Sequence, residues 1–123
     1  VTLRVRMTGF RNDEGRALVA LFRTEDGFPS DGERAALRLE APIREGRAEV
    51  VFRDVPTGPV AISGLHDEDG DFRMRTGVFG IPREGYGVSK NAVRRMGPPE
   101  FRDAVFPLAG DAPEERISIR IHY

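Results

Sequence analysis

Thr2-Leu3-Arg4-Val5-Arg6-Met7 and Arg116-Ile117-Ser118-Ile119-Arg120-Ile121-His122-Tyr123 decide the fold. In both stretches apolar and polar residues alternate, and a period of two belongs to a strand with one face buried and the other wet. Working inward, Asn12-Asp13-Glu14-Gly15 turns the chain, and the apolar run Ala17 to Phe22 reads as a second strand, antiparallel to the first in a hairpin. Thr24 to Arg34 is a loop rich in Asp, Gly, Pro and Ser that tucks Phe28 under itself. Leu37, Leu39, Ala41 and Ile43 alternate with Arg38 and Glu40; after Arg44-Glu45-Gly46 the phase resumes at Ala48, Val50 and Phe52, a second hairpin. Pro56-Thr57-Gly58-Pro59 makes a tight turn into a fifth strand, Val60 to Leu65, and Val105 to Leu108 is a short sixth.

About seven short strands without a long helix predict an all-β fold, a two-sheet antiparallel sandwich in one domain over residues 1–123. An immunoglobulin-like and a transthyretin-like strand order both satisfy the pattern. Hydrophobic residues make up 39% and charged residues 32%, interspersed and not blocked, as in a folded domain with a charged skin. A net charge of -1 excludes the clustered basic face of a nucleic-acid binder. The absence of cysteine excludes disulfides, thiolate metal sites and a cysteine nucleophile. No stretch reaches the ~18 apolar residues of a transmembrane helix. Lys90 is the sole lysine, an arginine bias that points to a high-GC bacterium.

Between the fifth and sixth strands runs a long Gly/Pro-rich excursion, from His66 to about Asp103, punctuated by Phe72, Phe79, Ile81, Tyr86, Val88, Val93, Met96 and Phe101. Flexible linkers do not carry so many large apolar side chains, so the excursion is expected to be ordered, and long ordered connections are usually functional. Within it Ser89 is expected to cap a short helix running to Met96, and Pro98-Pro99 to open a helical turn through Ala104.

The excursion contains His66-Asp67-Glu68-Asp69-Gly70-Asp71, then Phe79-Gly80-Ile81-Pro82-Arg83-Glu84-Gly85-Tyr86-Gly87-Val88-Ser89, Asn91, and Gly97-Pro98-Pro99-Glu100-Phe101. Together with the Gly15 turn, Gly27-Phe28-Pro29 and the final strand, these motifs resemble the bacterial family called domain of unknown function 2141. The resemblance implies a small domain made with a signal peptide that is absent from this chain, exported to the periplasm or secreted, and without an established activity. The chain departs from the family pattern where Phe72 and Arg75 replace a Gly and an Asp, which weakens any family ion site.

Asp67, Asp69 and Asp71 have the alternate-carboxylate spacing of a calcium loop, yet Phe72 and Val78 stand where a helix–loop–helix site needs Gly and Glu. His66 beside Asp67 has the makings of a general base, whereas zinc is disfavoured because His122 lacks ligand spacing to it. Ser89 lacks a nucleophile elbow, and Gly77, Gly80, Gly85 and Gly87 lack the strand–helix context of a phosphate loop. Arg4, Arg6, Arg116 and Arg120 would form a basic stripe were the outer strands neighbours, with Glu40 and Glu49 interrupting it.

The reading that follows is a non-catalytic exported module binding a protein or small-molecule partner through the excursion, with His66, Asp67, Phe79, Tyr86, Ser89 and Asn91 at the site and calcium, if any, at Asp67, Asp69 and Asp71. The alternative is a hydrolase using His66 and Asp67 in a cleft roofed by the excursion.

Overall fold

A computed structural model describes residues 1–68, 85–92 and 99–123. Eight strands lie within them: β1 (Thr2–Thr8), β2 (Arg16–Phe22), β3 (Leu37–Pro42), β4 (Ala48–Phe52), β5 (Gly58–Asp67), β6 (Tyr86–Val88), β7 (Phe106–Leu108) and β8 (Glu114–Arg120). One helical turn, α1 (Phe101–Ala104), and two 3-10 turns at Gly32–Arg34 and Ser89–Asn91 complete the described elements. The fold is all-β, with a 3-stranded sheet in the order β4-β1-β8 facing a 5-stranded sheet in the order β3-β2-β5-β6, to whose β5 the short β7 also pairs.

The alternation places the faces as expected. Leu3, Val5 and Met7 of β1, Val19 and Leu21 of β2, Val60 and Ile62 of β5, and Ile119 of β8 fill the space between the sheets. Each such side chain gives roughly 1.5–3 kcal/mol on leaving water, which makes this layer the main source of stability. Gly64 belongs to the same face, where a Cβ would lie 3.0 Å from the Met7 sulfur, so the glycine lets β5 approach β1.

The pairings differ from the expectation in three ways. First, β1 and β2 are not a hairpin: β1 pairs with β4 and β8, whereas β2 pairs with β3 and β5, so the Gly15 turn carries the chain from one sheet to the other. Second, β3 and β4 also lie in different sheets, joined at their corner by an Arg44–Arg47 bridge whose turn is held by the Asp13 carboxylate, accepting from Glu45 N (2.9 Å) and Gly46 N (2.8 Å). Third, the sandwich is not wholly antiparallel, since β1 and β8 run parallel over Thr2–Thr8 and Glu114–Arg120. A local turn signal is the same for a hairpin and for an arch between sheets, and the inner-face area to be buried selects the arch. Because the first and second strands occupy opposite sheets, the immunoglobulin order does not apply.

Adjacent β1 and β8 do bring Arg4 opposite Arg116. The stripe is nonetheless interleaved with acids. Arg4 reaches both Glu49 and Glu114, Arg6 reaches Glu49 (2.9 Å) and Arg116 reaches Glu114 (2.8 Å). Glu40 takes no part, because it lies on the other sheet with Arg16 (3.2 Å).

Gly15 has φ +68°, and a Cβ there would lie 1.8 Å from the Asp67 carbonyl oxygen. Gly15→Ala therefore combines left-handed strain with a backbone clash where β2 starts along β5. It should cost about 2 kcal/mol or more, and thermal melting should show a fall of roughly 8 °C.

Candidate functional site

His66 is the penultimate residue of β5, on the inner face with no exposed surface, edge-on to Phe10 (ring centroids 5.2 Å apart) and Tyr123 (5.9 Å). Its Nε2 is 2.7 Å from the Glu14 carbonyl, which only accepts, so Nε2 carries the proton. Its Nδ1 is 2.6 Å from the Tyr123 hydroxyl, which accepts the Arg11 backbone N–H (3.0 Å) and donates to the ring. Burial, seconded by the nearby Glu68 carboxylate, raises the Tyr123 pKa against the opposing effect of Arg11, so the phenol keeps the proton it donates. The Arg11 guanidinium lies 4.6 Å over the Tyr123 ring and binds Glu68. Both imidazole nitrogens are thus committed to structure, and water does not reach them.

Asp67 is buried at the last residue of β5 (1% exposed). Asp69, Asp71 and Phe79 lie outside the described residues, as do residues 93–96 of the helix expected to run from Ser89 to Met96. Among the described residues no group of three His, Asp or Glu side chains is placed to hold a metal ion, and no helix is long and apolar enough to cross a membrane.

Ser89 does not cap a helix. It opens a 3-10 turn whose preceding residue, Val88, is extended, and the turn ends in Lys90 and Asn91 with φ +65° and +50°. Its hydroxyl, fully buried, accepts from Ile62 N (3.0 Å) and donates to the Ala104 carbonyl (2.7 Å). It thereby extends the β5 ladder one residue beyond β6 and ties α1 to the sheet. The expected helical turn is present as α1, started by a reciprocal capping box between Glu100 and Asp103. Asn91 is exposed and its side-chain oxygen accepts Arg120 N (2.9 Å). His66, Ser89 and Asn91 therefore pin three separate points of the fold.

Tyr86 differs. It exchanges two backbone hydrogen bonds with His122, each 2.9 Å, and its half-buried side chain lines a groove of about 420 Å³ on the outer face of the 5-stranded sheet. Two cross-strand rows form the floor: Glu40–Leu18–Leu65–Tyr86 and, beside it, Arg38–Ala20–Ser63. A third row, Phe22–Ala61, is covered by an edge-to-face ladder of Phe22, Phe28 and Phe101 (centroids 5.3 and 5.9 Å) that packs with Val88 and Ala104. Pro29, Ser30 and Gly32 close that end of the groove. Sequence reasoning missed Leu18, Ala20, Ser63, Leu65 and Arg38. The available signal was that Ala17–Phe22 and Val60–Leu65 are apolar on both faces, so the outer face also requires cover.

Tyr123→Phe should leave the groove intact while depriving His66 Nδ1 of its donor and Arg11 N of its acceptor, a loss of about 1–3 kcal/mol in chemical denaturation. Acid should act on the same corner through Glu68. Burial disfavours its carboxylate, but hydrogen bonds from Arg11 and Asn12 prevail and hold its pKa below the usual 4.5. Folding thus prefers ionised Glu68: its stabilisation is complete above the unfolded value and disappears as pH falls through the lower folded value. Between about pH 6 and pH 3 the melting temperature should decline, and less steeply in Glu68→Gln.

No curated protein and no solved structure matches the chain. A family model described as an uncharacterized protein conserved in bacteria (DUF2141) matches residues 5–116. That span runs from within β1 to within β8 and takes in both sheets, His66 and every floor residue of the groove, while Tyr123 lies beyond it. The chain is a member of the DUF2141 family.

Proposed function

We propose that this domain is a non-catalytic binding module that holds a small amphipathic ligand in the groove on the outer face of the 5-stranded sheet. The observation that carries the reading is the floor itself. Leu18, Leu65 and Tyr86, all half-buried, make a row of large apolar side chains on a face that a sandwich normally gives to solvent. A volume of about 420 Å³ is within the ordinary range for small-molecule sites. The commitment of His66 and Ser89 to buried structural hydrogen bonds supports binding over hydrolysis. We further propose that the domain works in the periplasm or outside the cell. Its freedom from cysteine makes it indifferent to oxidising surroundings, and membership of a bacterial family accords with that setting.

The neutral fluorescent probe N-phenylnaphthylamine should bind saturably, at one site per chain. Leu18→Gln and Leu65→Gln should each weaken it about fivefold or more, since each removes apolar contact from a half-buried position. Circular dichroism melts of both variants establish that they are folded. Absence of saturable binding, or affinity unchanged in both folded variants, would refute the groove.

A further inference from the structure

The groove has a polar end with unused donors, and this points to the chemistry of its occupant. Ser63 lies on its floor at 8% exposure, and among the described residues its hydroxyl has no hydrogen-bond partner. A buried hydroxyl without a partner forfeits the bonds it made to water, and such groups in folded proteins call for an explanation. In the same row, on the other side of Ala20, stands Arg38. Its guanidinium makes no ion pair or hydrogen bond with the described residues. Its stem is placed by Gly32, where a Cβ would come within 3.2 Å of Arg38 Cδ, so the glycine leaves room for the arginine to lie along the groove. Ala20 between them presents only a methyl group. Arg38 and Ser63 are two strand spacings apart, ~10 Å between backbones, a gap that the long arginine side chain narrows from one side.

The charge balance of the lining is equally specific. Glu40, in the neighbouring row, is paired with Arg16. Arg38 is left as the unneutralised charge beside the apolar row, and a guanidinium next to a hydroxyl donor is a receptor for a planar or tetrahedral oxyanion.

We infer that the groove binds an amphipathic organic anion, its carboxylate or sulfonate held over Ala20 by Arg38 and Ser63 and its apolar body laid along Leu18, Leu65 and Tyr86. This inference rests on the groove reading given under the proposed function, and the test separates the two. Anilinonaphthalene sulfonate and N-phenylnaphthylamine share one apolar skeleton and differ by the anionic group. A charge-assisted hydrogen bond should make the sulfonate bind about tenfold or more tightly than the neutral probe at low salt. Arg38→Gln should abolish that preference while leaving the neutral probe within about twofold of its original affinity. Ser63→Ala should reduce the preference about threefold. Leu18→Gln should weaken both probes, which locates them in the same groove. Equal affinity for the two probes, or a sulfonate preference that survives Arg38→Gln, overturns the anion site even where Leu18→Gln still weakens both. Saturable binding of neither probe overturns the anion site and the groove together.

Discussion

Strand β5 is hydrogen-bonded along both edges, and the outer-face chemistry depends on it. One edge pairs with β2 over Ala61–Asp67; the other takes β7 at Gly58–Val60, the Ser89 hydroxyl at Ile62 and β6 at Ser63–Leu65. Individually these bonds contribute about 1 kcal/mol each. Jointly they fix the register, and in a strand a slip of one residue exchanges the faces. Such a slip would drive Leu65 into the core, bring His66 out to solvent and strand the acceptor at Glu14 and the donor at Tyr123. The double hydrogen bond of His66 therefore acts as a register pin for the strand that supplies Ser63 and Leu65 to the groove.

The two faces of the 5-stranded sheet divide the work. The inner face is continuous with a single core that spans both sheets. The outer face is dry at one end, where Phe22, Phe28 and Phe101 stack edge to face over Ala61, and grooved at the other. This ladder, α1 and the Ser89 hydroxyl brace the closed end, so the floor beside it is built on paired strands and not on loop. Preorganised walls lower the ordering cost of binding, one of the terms a ligand must overcome.

Much of this was legible in the alternation of Leu3, Val5, Met7 and of Ile117, Ile119, Ile121, which states which face of each strand is buried. It is silent on which strand lies alongside. The Gly15 turn read as a hairpin because Asn12-Asp13-Glu14-Gly15 has the local chemistry of any reversal, and only the packing of two sheets makes it an arch. Ser89 read as a helix cap because a serine before a short mixed run usually is one; the tertiary partners at Ile62 and Ala104 are remote in the chain and have no local signature. The groove escaped notice for a related reason. A run such as Ala17–Phe22 shows no alternation, so it reads as a strand buried on both faces, and the exception is visible only once the cover among the described residues proves to end at Phe28 and Pro29.

Charge placement distinguishes the two outer faces. On the 3-stranded sheet Arg4, Arg6 and Arg116 are interleaved with Glu49 and Glu114, and exposed pairs of this kind contribute little to stability. Their physical effect is to cancel the field that a row of arginines would otherwise project. On the 5-stranded sheet the same device is applied to Arg16 through Glu40 and is withheld from Arg38, two residues from Glu40 along β3. Arg38, exposed beside an apolar floor and without an ion pair among the described residues, projects a local positive potential along the groove. The groove is accordingly the place on the described surface where hydrophobic area, an unused buried donor and an uncompensated charge coincide. The fold's rigid ladder would hold all three in a fixed geometry relative to whatever enters.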